Sequence, residues 1–454
     1  MICYDIKNSG GMDMVKSKFA QCVDLENGYY AFYNSLIMLP IFMNQEEYSK
    51  YENDALSEDI VCALKQICFY IDNKKDDMIA LKRLRSQVYQ HCGEWDILYL
   101  ITTSSCNLAC KYCFLDNNPN ASTCNDVMTF EIAKEALDKF AKYGNRTDWE
   151  ITNVLFYGGE PIINFSLIKE VIEYCNQKRY FFNYSVITNA TLLTPEQALF
   201  LSANHVQIGV SLDGPQEITD KNRLFKSSNN SVYENVIEKL NILKDNKCNY
   251  SISCTIAPDV VNNREEFDNW IDNLGIRNIY FNIFHYADTT DEWKEYYPDM
   301  SEFMLEEYFR LLEKGIIEGK CSEIVNNFVQ RKFKNNNCGA IGRNQVAIAA
   351  NGDIFICQGD VRTASLSIGN ISKDDPNDLL MGEVSETEKW TINYTVNSDE
   401  CLNCEALPIC GGGCPLQAEA IFSSRMATDK ASCIFYKKAL RFVLKKILQE
   451  NLKK

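Results

Sequence analysis

The feature that most constrains the fold is an alternation of strand-like and helix-like segments that starts near residue 95. Strand–helix units in series are typical of a parallel sheet with crossover helices. Six units favour a partial barrel over a closed eight-stranded one, so we predict an α/β fold built on a partial (β/α)6 barrel of the TIM type. The predicted strand and helix pairs are 95–103 with 129–143, 151–157 with 166–178, 182–188 with 195–204, 206–212 with 232–245, 250–256 with 264–274, and 278–284 with 300–315.

Other regions flank the predicted barrel. Residues 26–36 are aromatic and open with the turn dipeptide Asn27-Gly28, and two short helical patterns follow. We therefore predict a small winged-helix-like module before the barrel, with a cap packed on the barrel as the alternative. The predicted short helices are 45–51 and 58–68, and the predicted regions are the module at 1–93, the barrel at 94–320, a loop-rich domain at 321–434 and a C-terminal helix at 435–454.

Composition excludes several classes of protein. The formal net charge of −16 argues against non-specific nucleic-acid binding, because an acidic chain repels phosphate backbones. No run approaches the roughly 18 uninterrupted apolar residues of a membrane span. The first residues also lack the basic segment and apolar core of a secretory signal. We therefore expect a cytoplasmic protein with no nucleic-acid or membrane partner.

Cysteine use is the strongest chemical signal in the sequence. The chain has 20 Cys beside only 3 His. Structural disulfides are rare in the cytoplasm, so clustered cysteines are interpreted there as metal or redox ligands. Ligation by thiolates alone indicates iron–sulfur clusters or zinc.

The first cysteine motif directly follows the first predicted strand. Cys106, Cys110 and Cys113 have the spacing C-x3-C-x2-C. Three thiolates on one loop can hold three irons of a [4Fe–4S] cube and leave the fourth iron open, which makes that cluster a reaction centre. A structural zinc loop is the alternative, but zinc needs a fourth ligand, for which Cys124 is the only contender nearby.

This motif at the end of a first strand resembles that of the radical S-adenosylmethionine (radical SAM) superfamily, and the resemblance covers about residues 95–320. It implies that Cys106, Cys110 and Cys113 bind a catalytic [4Fe–4S] cluster. It also implies contacts to the amino group, ribose, carboxylate and adenine of SAM from the ends of successive strands. The implied SAM-binding residues are Tyr112 in the cysteine loop, Gly158, Gly159 and Glu160 after the second strand, Asn189 after the third, Ser211 after the fourth, and Arg223 beyond it.

Seven cysteines lie from Cys338 onward, and their spacing is too regular for chance. The pattern resembles the SPASM domain of peptide-modifying radical SAM enzymes, which carries two auxiliary [4Fe–4S] clusters, so three clusters are expected in all. Zinc ribbons also use C-x2-C, but they need tetrads rather than seven ligands. The resemblance assigns Cys401, Cys404, Cys410 and Cys433 to an outer cluster and Cys338, Cys357 and Cys414 to an inner cluster nearer SAM.

The inner set lacks an eighth thiolate. Residues 330–337, where some relatives have one, contain no cysteine, and Cys321 lies seventeen residues before Cys338. Either Cys321 loops back or the inner cluster keeps an open iron. Asn351-Gly352-Asp353 predicts a hairpin turn that brings Cys338 and Cys357 together.

The resemblance implies a peptide maturase. Such an enzyme generates a 5′-deoxyadenosyl radical and installs a cross-link in a ribosomally made precursor peptide; the open inner iron favours a Cys thioether. The expected partners are a leader peptide with a Cys-containing core and an electron donor such as flavodoxin or ferredoxin, and the module before the barrel is the expected leader-binding region.

Three alternatives remain open. One is an anaerobic sulfatase-maturating enzyme that forms formylglycine, but those relatives have an Asp where this chain has Gln358, and Gln cannot act as a base. Asp360 could replace it only if its loop turned inward. The others are a carbon–carbon cross-linking cyclase and a non-catalytic iron–sulfur electron-transfer protein.

Overall fold

Two small antiparallel sheets and three helices make up residues 14–90 of this computed structural model. The structure describes residues 14–90, 96–115, 126–144, 152–285, 290–383, 385, 389, 391 and 395–453. β1 pairs with β5, and β2, β3 and β4 form a three-stranded sheet in that order. The elements are β1 (Val15–Lys16), β2 (Ala20–Asp24), β3 (Tyr29–Asn34), β4 (Ile41–Asn44), α1 (Gln45–Glu52), α2 (Glu58–Gln66), β5 (Tyr70–Ile71) and α3 (Lys74–Gln90).

Local sequence signals explain most of this region. Gly28, at φ +81°, closes the β2–β3 hairpin, and the aromatic segment forms β3 as predicted. Asn44 and Glu47 form a reciprocal capping box that starts α1. Both predicted short helices are present, whereas α3 was not predicted. The winged-helix identity of the region stays a prediction.

A ten-stranded, mostly parallel sheet follows. Strands β6 to β11 are parallel, and each lies beside the next one in the chain, as the six predicted units require. Every predicted strand and helix of the barrel is present, with bounds shifted by a few residues. The elements are β6 (Ile97–Thr103), α4 (Phe130–Gly144), β7 (Asn153–Gly158), α5 (Phe165–Lys178), β8 (Asn183–Thr188), α6 (Pro195–Ala203), β9 (Gln207–Ser211), α7 (Gln216–Asn222), α8 (Val232–Asp245), β10 (Asn249–Ile256), α9 (Pro258–Asn262), α10 (Arg264–Leu274), β11 (Asn278–Ile283) and α11 (Trp293–Glu313).

Burial follows the periodicity of each element. Along β7 the residues alternate between buried and half-buried, as expected for a strand with one face packed under helices. On α5 the buried positions recur at helical spacing and face the sheet. One hydrophobic core runs from these helices through the sheet into the C-terminal region.

The sheet extends beyond the six predicted strands. β12 (Ile317–Glu318) adds in parallel to β11, and β13 (Gln345–Ile348) adds in parallel to β6. β13 forms an antiparallel hairpin with β14 (Asp353–Phe355), and β15 (Gly369–Asn370) completes the sheet. The turn falls at Asn351-Gly352-Asp353, with Gly352 at φ +89°, so the predicted hairpin is present. The sheet is therefore shared by the predicted barrel and the predicted loop-rich region.

Short helices dominate the remaining chain. A long final helix packs on α11, with the rings of Phe309 and Phe442 5.2 Å apart. It begins at Lys430, five residues before its predicted start, because Asp429 caps its first turn. The helices are α12 (Gly319–Val329), α13 (Gly339–Gly342), α14 (Pro376–Met381), α15 (Asp399–Leu402), α16 (Leu407–Cys410), α17 (Pro415–Phe422) and α18 (Lys430–Leu452).

Some sequence predictions fall outside the described residues. These are the parts of the first module at 1–13 and 91–93, the ends of two predicted strands at 95 and 151, the candidate zinc ligand Cys124, and residue 454. Among the helices that are described, none is both long and apolar enough to cross a membrane.

Candidate active site

The three cysteines of the first motif lie on the loop that leaves β6, at the carboxyl edge of the parallel strands. Cys106, Cys110 and Cys113 are all partly buried. The loop is anchored to the segment at 222–226 by backbone hydrogen bonds, which fix it at the mouth of the sheet. These bonds run from Ala109 N to Leu224 O (2.7 Å), from Lys111 N to Asn222 O (3.0 Å) and from Lys226 N to Asn107 O (3.0 Å).

The thiols on this loop have the surroundings of metal ligands. The backbone N–H of Leu108 donates to Cys106 Sγ at 3.4 Å, and Asn189 Nδ2 lies 3.9 Å from the same sulfur. Burial raises the pKa of Cys106, and it raises the pKa of Cys110 to about 11. Metal binding must therefore displace the protons of the Cys106 and Cys110 thiols. Soft donors with N–H groups aimed at sulfur fit an iron–sulfur cluster.

Gly158 and Gly159 are required by a close backbone approach. A Cβ on Gly158 would collide with Thr103 O, and one on Gly159 would collide with the Ser105 carbonyl. Gly158 also has φ +136°, which favours glycine. The pair therefore lets the end of β7 lie directly against the start of the cysteine loop.

The carboxylate of Glu160 joins the ends of β7 and β8. It accepts hydrogen bonds from Ile162 N (3.0 Å), Thr188 Oγ1 (2.5 Å) and Asn189 N (2.7 Å). Burial raises the pKa of Glu160 to about 7. A carboxylate offers about four acceptor positions, so the three bonds leave capacity for another donor.

Asn189 connects β8 to the cysteine loop. Its Nδ2 donates to Asn107 Oδ1 at 2.9 Å, and Asn107 Nδ2 donates in turn to Thr191 Oγ1 at 2.8 Å. This network holds the side chain of Asn189 beside Cys106. Three strand ends, those of β6, β7 and β8, are thus bonded together around the first thiol.

A buried ion pair between Arg223 and Asp213 also contacts the cysteine loop. Arg223 donates to both carboxylate oxygens of Asp213, at 2.8 and 3.0 Å, and Tyr112 Oη donates to the same carboxylate. The Arg223 guanidinium also lies 5.5 Å from the centroid of the Tyr112 ring. Thr255 N fixes Asp213 from β10 at 3.0 Å. The predicted SAM-binding residues Tyr112 and Arg223 therefore meet around Asp213.

Ser211 occupies the last position of β9. It is half-buried and opposite Ser253 of β10 in the parallel register. It thus lies at the same carboxyl edge as the other predicted SAM-binding residues.

Cys338, Cys357 and Cys414, termed the inner group, influence one another electrostatically. Burial, the carboxylate of Asp360 and the thiols of Cys338 and Cys414 raise the pKa of Cys357. Burial and the Cys338 thiol raise the pKa of Cys414 to about 12. Gly359 N donates to Cys357 Sγ at 3.3 Å, which repeats the N–H to sulfur bond at Cys106.

Cys401, Cys404, Cys410 and Cys433, termed the outer group, behave in the same way. Burial and the thiols of Cys433, Cys404 and Cys401 raise the pKa of Cys410. Burial, with the Cys404 and Cys401 thiols, raises the pKa of Cys433 to about 12. Thiols of the same group therefore act on one another's pKa, and the assignment of the two groups to two clusters stays a prediction.

Cys321 does not join either group. It is fully buried in α12, its thiol donates to Met304 O at 3.7 Å, and the charged groups that act on it are Glu318 and Lys320. Within the part of the chain that the structure describes, no three or more His, Cys, Asp or Glu side chains converge tightly enough to hold one metal ion.

Sequence reasoning missed two residues of this site. Asp213 carries the ion pair with Arg223, and Asn107 links the cysteine loop to β8. Asp213 stands in the strand-ending motif Ser-Leu-Asp-Gly-Pro, so its position at the carboxyl edge was the available signal. Nothing in the sequence singled out Asn107 beyond its place in the loop.

Comparison with known families identifies this arrangement. Residues 100–274 match the Radical SAM superfamily, and they include the cysteine loop, Glu160 and the Asp213–Arg223 pair. The chain carries a radical SAM domain.

Two curated proteins are similar to this chain over most of its length. It is 27% identical to the radical SAM cyclopropyl synthase TigE of Paramaledivibacter caminithermalis, over 77% of this chain and 74% of TigE. It is 24% identical to a cysteine-type anaerobic sulfatase-maturating enzyme of Clostridium novyi, over 74% of this chain and 91% of that enzyme.

Solved structures share the fold of the radical SAM domain and its surroundings. Native anSMEcpe with bound AdoMet superposes with a TM-score of 0.66 at 19% identity, covering 78% of this chain and 98% of that one. Streptococcus suis SuiB bound to precursor peptide SuiA superposes with a TM-score of 0.55 at 14% identity, covering 93% of this chain and 100% of that one. At these identities the likeness concerns the fold.

Proposed function

We propose that this chain is a SPASM-type radical SAM maturase that installs a cross-link, a Cys thioether, in a ribosomally made precursor peptide. The observation that carries the proposal is the cysteine loop after β6, where Cys106 lies beside Asn189 and Asn189 N donates to the carboxylate of Glu160. The inner and outer groups, which the resemblance assigns, would supply the ligands of two more [4Fe–4S] clusters.

The residues of the radical SAM domain have defined roles in this proposal. Cys106, Cys110 and Cys113 would hold the catalytic cluster, which with SAM supplies reductive cleavage of SAM and hydrogen-atom abstraction from the peptide. The SAM ammonium would take the remaining acceptor capacity of Glu160. Arg223 and Tyr112, held by Asp213, would form the side of the SAM site that lies across the cysteine loop.

The thioether assignment depends on the inner group. Cys321 is buried against Met304 and has no inner-group thiol among its electrostatic neighbours, which favours an inner cluster with an open iron. A soft iron site prefers a thiolate, and a Cys of the substrate is a suitable donor. Binding there would hold the sulfur close to the carbon that reacts with it.

The region at 14–90 is proposed to bind the leader of the precursor. Its three-stranded sheet has edges at β2 and β4, and an extended peptide can add to a sheet edge. The region is joined to the outer group, because Tyr33 Oη donates to Glu405 O at 2.6 Å, one residue after Cys404. SuiB was solved with a precursor peptide. Its superposition covers 93% of this chain, so it includes at least part of residues 14–90.

A carbon–carbon bond is the second candidate for the product. The relative TigE is named a cyclopropyl synthase, and a cyclopropane ring requires a new carbon–carbon bond. The same radical SAM site would serve, and the inner group would then need no substrate thiol.

Formylglycine formation is less well supported, although a sulfatase-maturating relative exists. The carboxylate of Asp360 is held by two hydrogen bonds of 2.7 Å from Arg425, and Gln358 Oε1 accepts from Gln345 Nε2 at 2.8 Å. Neither side chain is placed to act as a free base.

An electron-transfer protein would gain nothing from the three-thiolate loop, because an open iron serves reaction rather than relay.

The test is SAM cleavage by the anaerobically reconstituted, reduced protein. Wild type should contain roughly twelve irons, four per cube, and should release 5′-deoxyadenosine. Replacing Cys106, Cys110 and Cys113 together by Ala should remove about a third of the iron and abolish that release. A matched triple variant, Cys22→Ala, Cys62→Ala and Cys248→Ala, should retain both. Stoichiometric zinc without iron, or continued 5′-deoxyadenosine release by the first variant, would refute the proposal.

A further inference from the structure

A buried ion pair outside the SAM site joins two loops of the inner group. Arg425 Nη1 and Nη2 each donate to one carboxylate oxygen of Asp360 at 2.7 Å. The side chains are only 10% and 4% exposed. Bidentate pairs of this kind fix both distance and orientation.

The two ends of the pair belong to the loops of different thiols. Asp360 ends the 3-10 turn Gln358–Asp360, and its N–H donates to Cys357 O at 3.1 Å. Arg425 lies just after α17, the helix that Cys414 caps, and its Nε donates to Glu419 of that helix at 2.7 Å. The pair therefore sets the position of Cys357 relative to Cys414.

The segment that carries Arg425 also reaches the outer group. Asp429, four residues on, accepts from Cys414 N at 2.9 Å, and its backbone carbonyl accepts from Cys433 N at 3.1 Å. One short segment between α17 and α18 thus bonds to the loop or backbone of both inner and outer cysteines.

The charges of Asp360 and Arg425 also act on the inner group. Asp360 places a negative charge three residues after Cys357, in a loop where its own N–H donates to Cys357 O at 3.1 Å. Arg425 compensates that charge at hydrogen-bond distance. Because a negative charge beside a cluster disfavours the added electron, the balance between these residues acts on its reduction potential.

We propose that Arg425 and Asp360 are positioning residues that hold Cys357 against Cys414 and set the reduction potential of the inner cluster. This inference rests on the proposed function, because it requires an iron–sulfur cluster at the inner group. It predicts opposite effects for the two partners. Arg425→Met removes a positive charge beside the carboxylate and should lower the inner potential, whereas Asp360→Asn removes a negative charge and should raise it.

The experiment is a redox titration of the anaerobically reconstituted full chain at one fixed pH, followed by electron paramagnetic resonance. Iron per chain is measured on the same samples. Arg264→Met is the matched control, because Arg264 pairs with Glu306 on the barrel helices. Arg425→Lys keeps the charge but loses the two-pronged geometry, and it covers the case in which Arg425→Met cannot assemble the cluster.

Two results support the inference: shifts of opposite sign in the two variants, or loss of about four irons from Arg425→Met while Arg425→Lys and Arg264→Met keep them. Unchanged iron and potential in all three pair variants overturns it, and so do shifts of the same sign with full iron. A wild type with only about four irons instead refutes the auxiliary clusters themselves, so the two failures are distinguishable.

Discussion

Arg223 donates hydrogen bonds to both carboxylate oxygens of Asp213, at 2.8 and 3.0 Å, and each side chain is less than a tenth exposed. The pair joins the end of β9 to the segment that anchors the cysteine loop. Tyr112 Oη donates to the same carboxylate, so a residue of the loop is bound to the pair directly. The ion pair is therefore part of the frame that holds the loop in place.

Asp213→Asn should destabilise the protein and weaken SAM cleavage together. Removing one partner of a buried ion pair leaves an uncompensated charge, which typically costs about 3–5 kcal/mol. The melting temperature and 5′-deoxyadenosine release are the measurements. Lys221→Met, which breaks an exposed pair with Asp259, should cost about 0–1 kcal/mol. Equal effects of the two substitutions would contradict the role of the pair.

Gly158→Ala tests the contact between β7 and the cysteine loop. Gly275 also has positive φ but has no atom within 4 Å of a Cβ position, so Gly275→Ala should cost only the left-handed strain of about 1–2 kcal/mol. Gly158→Ala should add an overpacking cost of about 1–3 kcal/mol and lower SAM cleavage. Melting temperature and SAM turnover, compared between the two variants, decide whether the collision matters.

The strands and helices of the barrel were predictable because their apolar residues recur at periods that determine the local structure. Helix α3 was missed because its buried residues Ala80, Leu84 and Val88 form a narrow stripe in a mostly polar segment. The addition of β13 to β6 was also missed. That pairing joins residues far apart in the chain, and no local pattern encodes it.

The residues of the site also include some that the sequence could predict and some that it could not. The thiols could be singled out from the sequence because their spacing is itself the signal, and their sorting into three and four stays a prediction. The Arg425–Asp360 pair was not predictable, because the two residues meet only when the loops after Cys357 and Cys414 are folded together.

Glu160 predicts a pH dependence of stability. Burial raises its pKa from 4.5 to about 7 in the folded protein, so the folded state holds this proton more tightly than the unfolded state does. Stability should therefore fall as pH rises from about 4.5 to 7, with the full loss present above that window. The measurement is the difference in unfolding free energy between wild type and Glu160→Gln, without SAM or iron. A difference that stays flat across the window would contradict the assignment.

Removal of residues 1–90 should weaken binding of a fluorescent precursor peptide by at least tenfold. SAM cleavage without peptide should persist, since all proposed cluster ligands lie later in the chain. Tyr33→Phe removes the bond to Glu405 O but leaves the β-sheet edges intact, so it should keep peptide affinity. Equal peptide affinity of the truncated and full chains would show that the region is a cap.

Cys321 and the substrate thiol give the last prediction, because they are competing candidates for the open position of the inner cluster. Cys321 is buried in α12 against Met304, so Cys321→Ala should keep roughly twelve irons, whereas Cys357→Ala should lose about four. With an open iron, adding the Cys-containing precursor should change the electron paramagnetic resonance spectrum of the inner cluster. A precursor with that Cys changed to Ser should not, and it should not be cross-linked. Iron loss from Cys321→Ala would show that the chain supplies the missing thiolate, and normal cross-linking of the Ser peptide would favour a carbon–carbon bond.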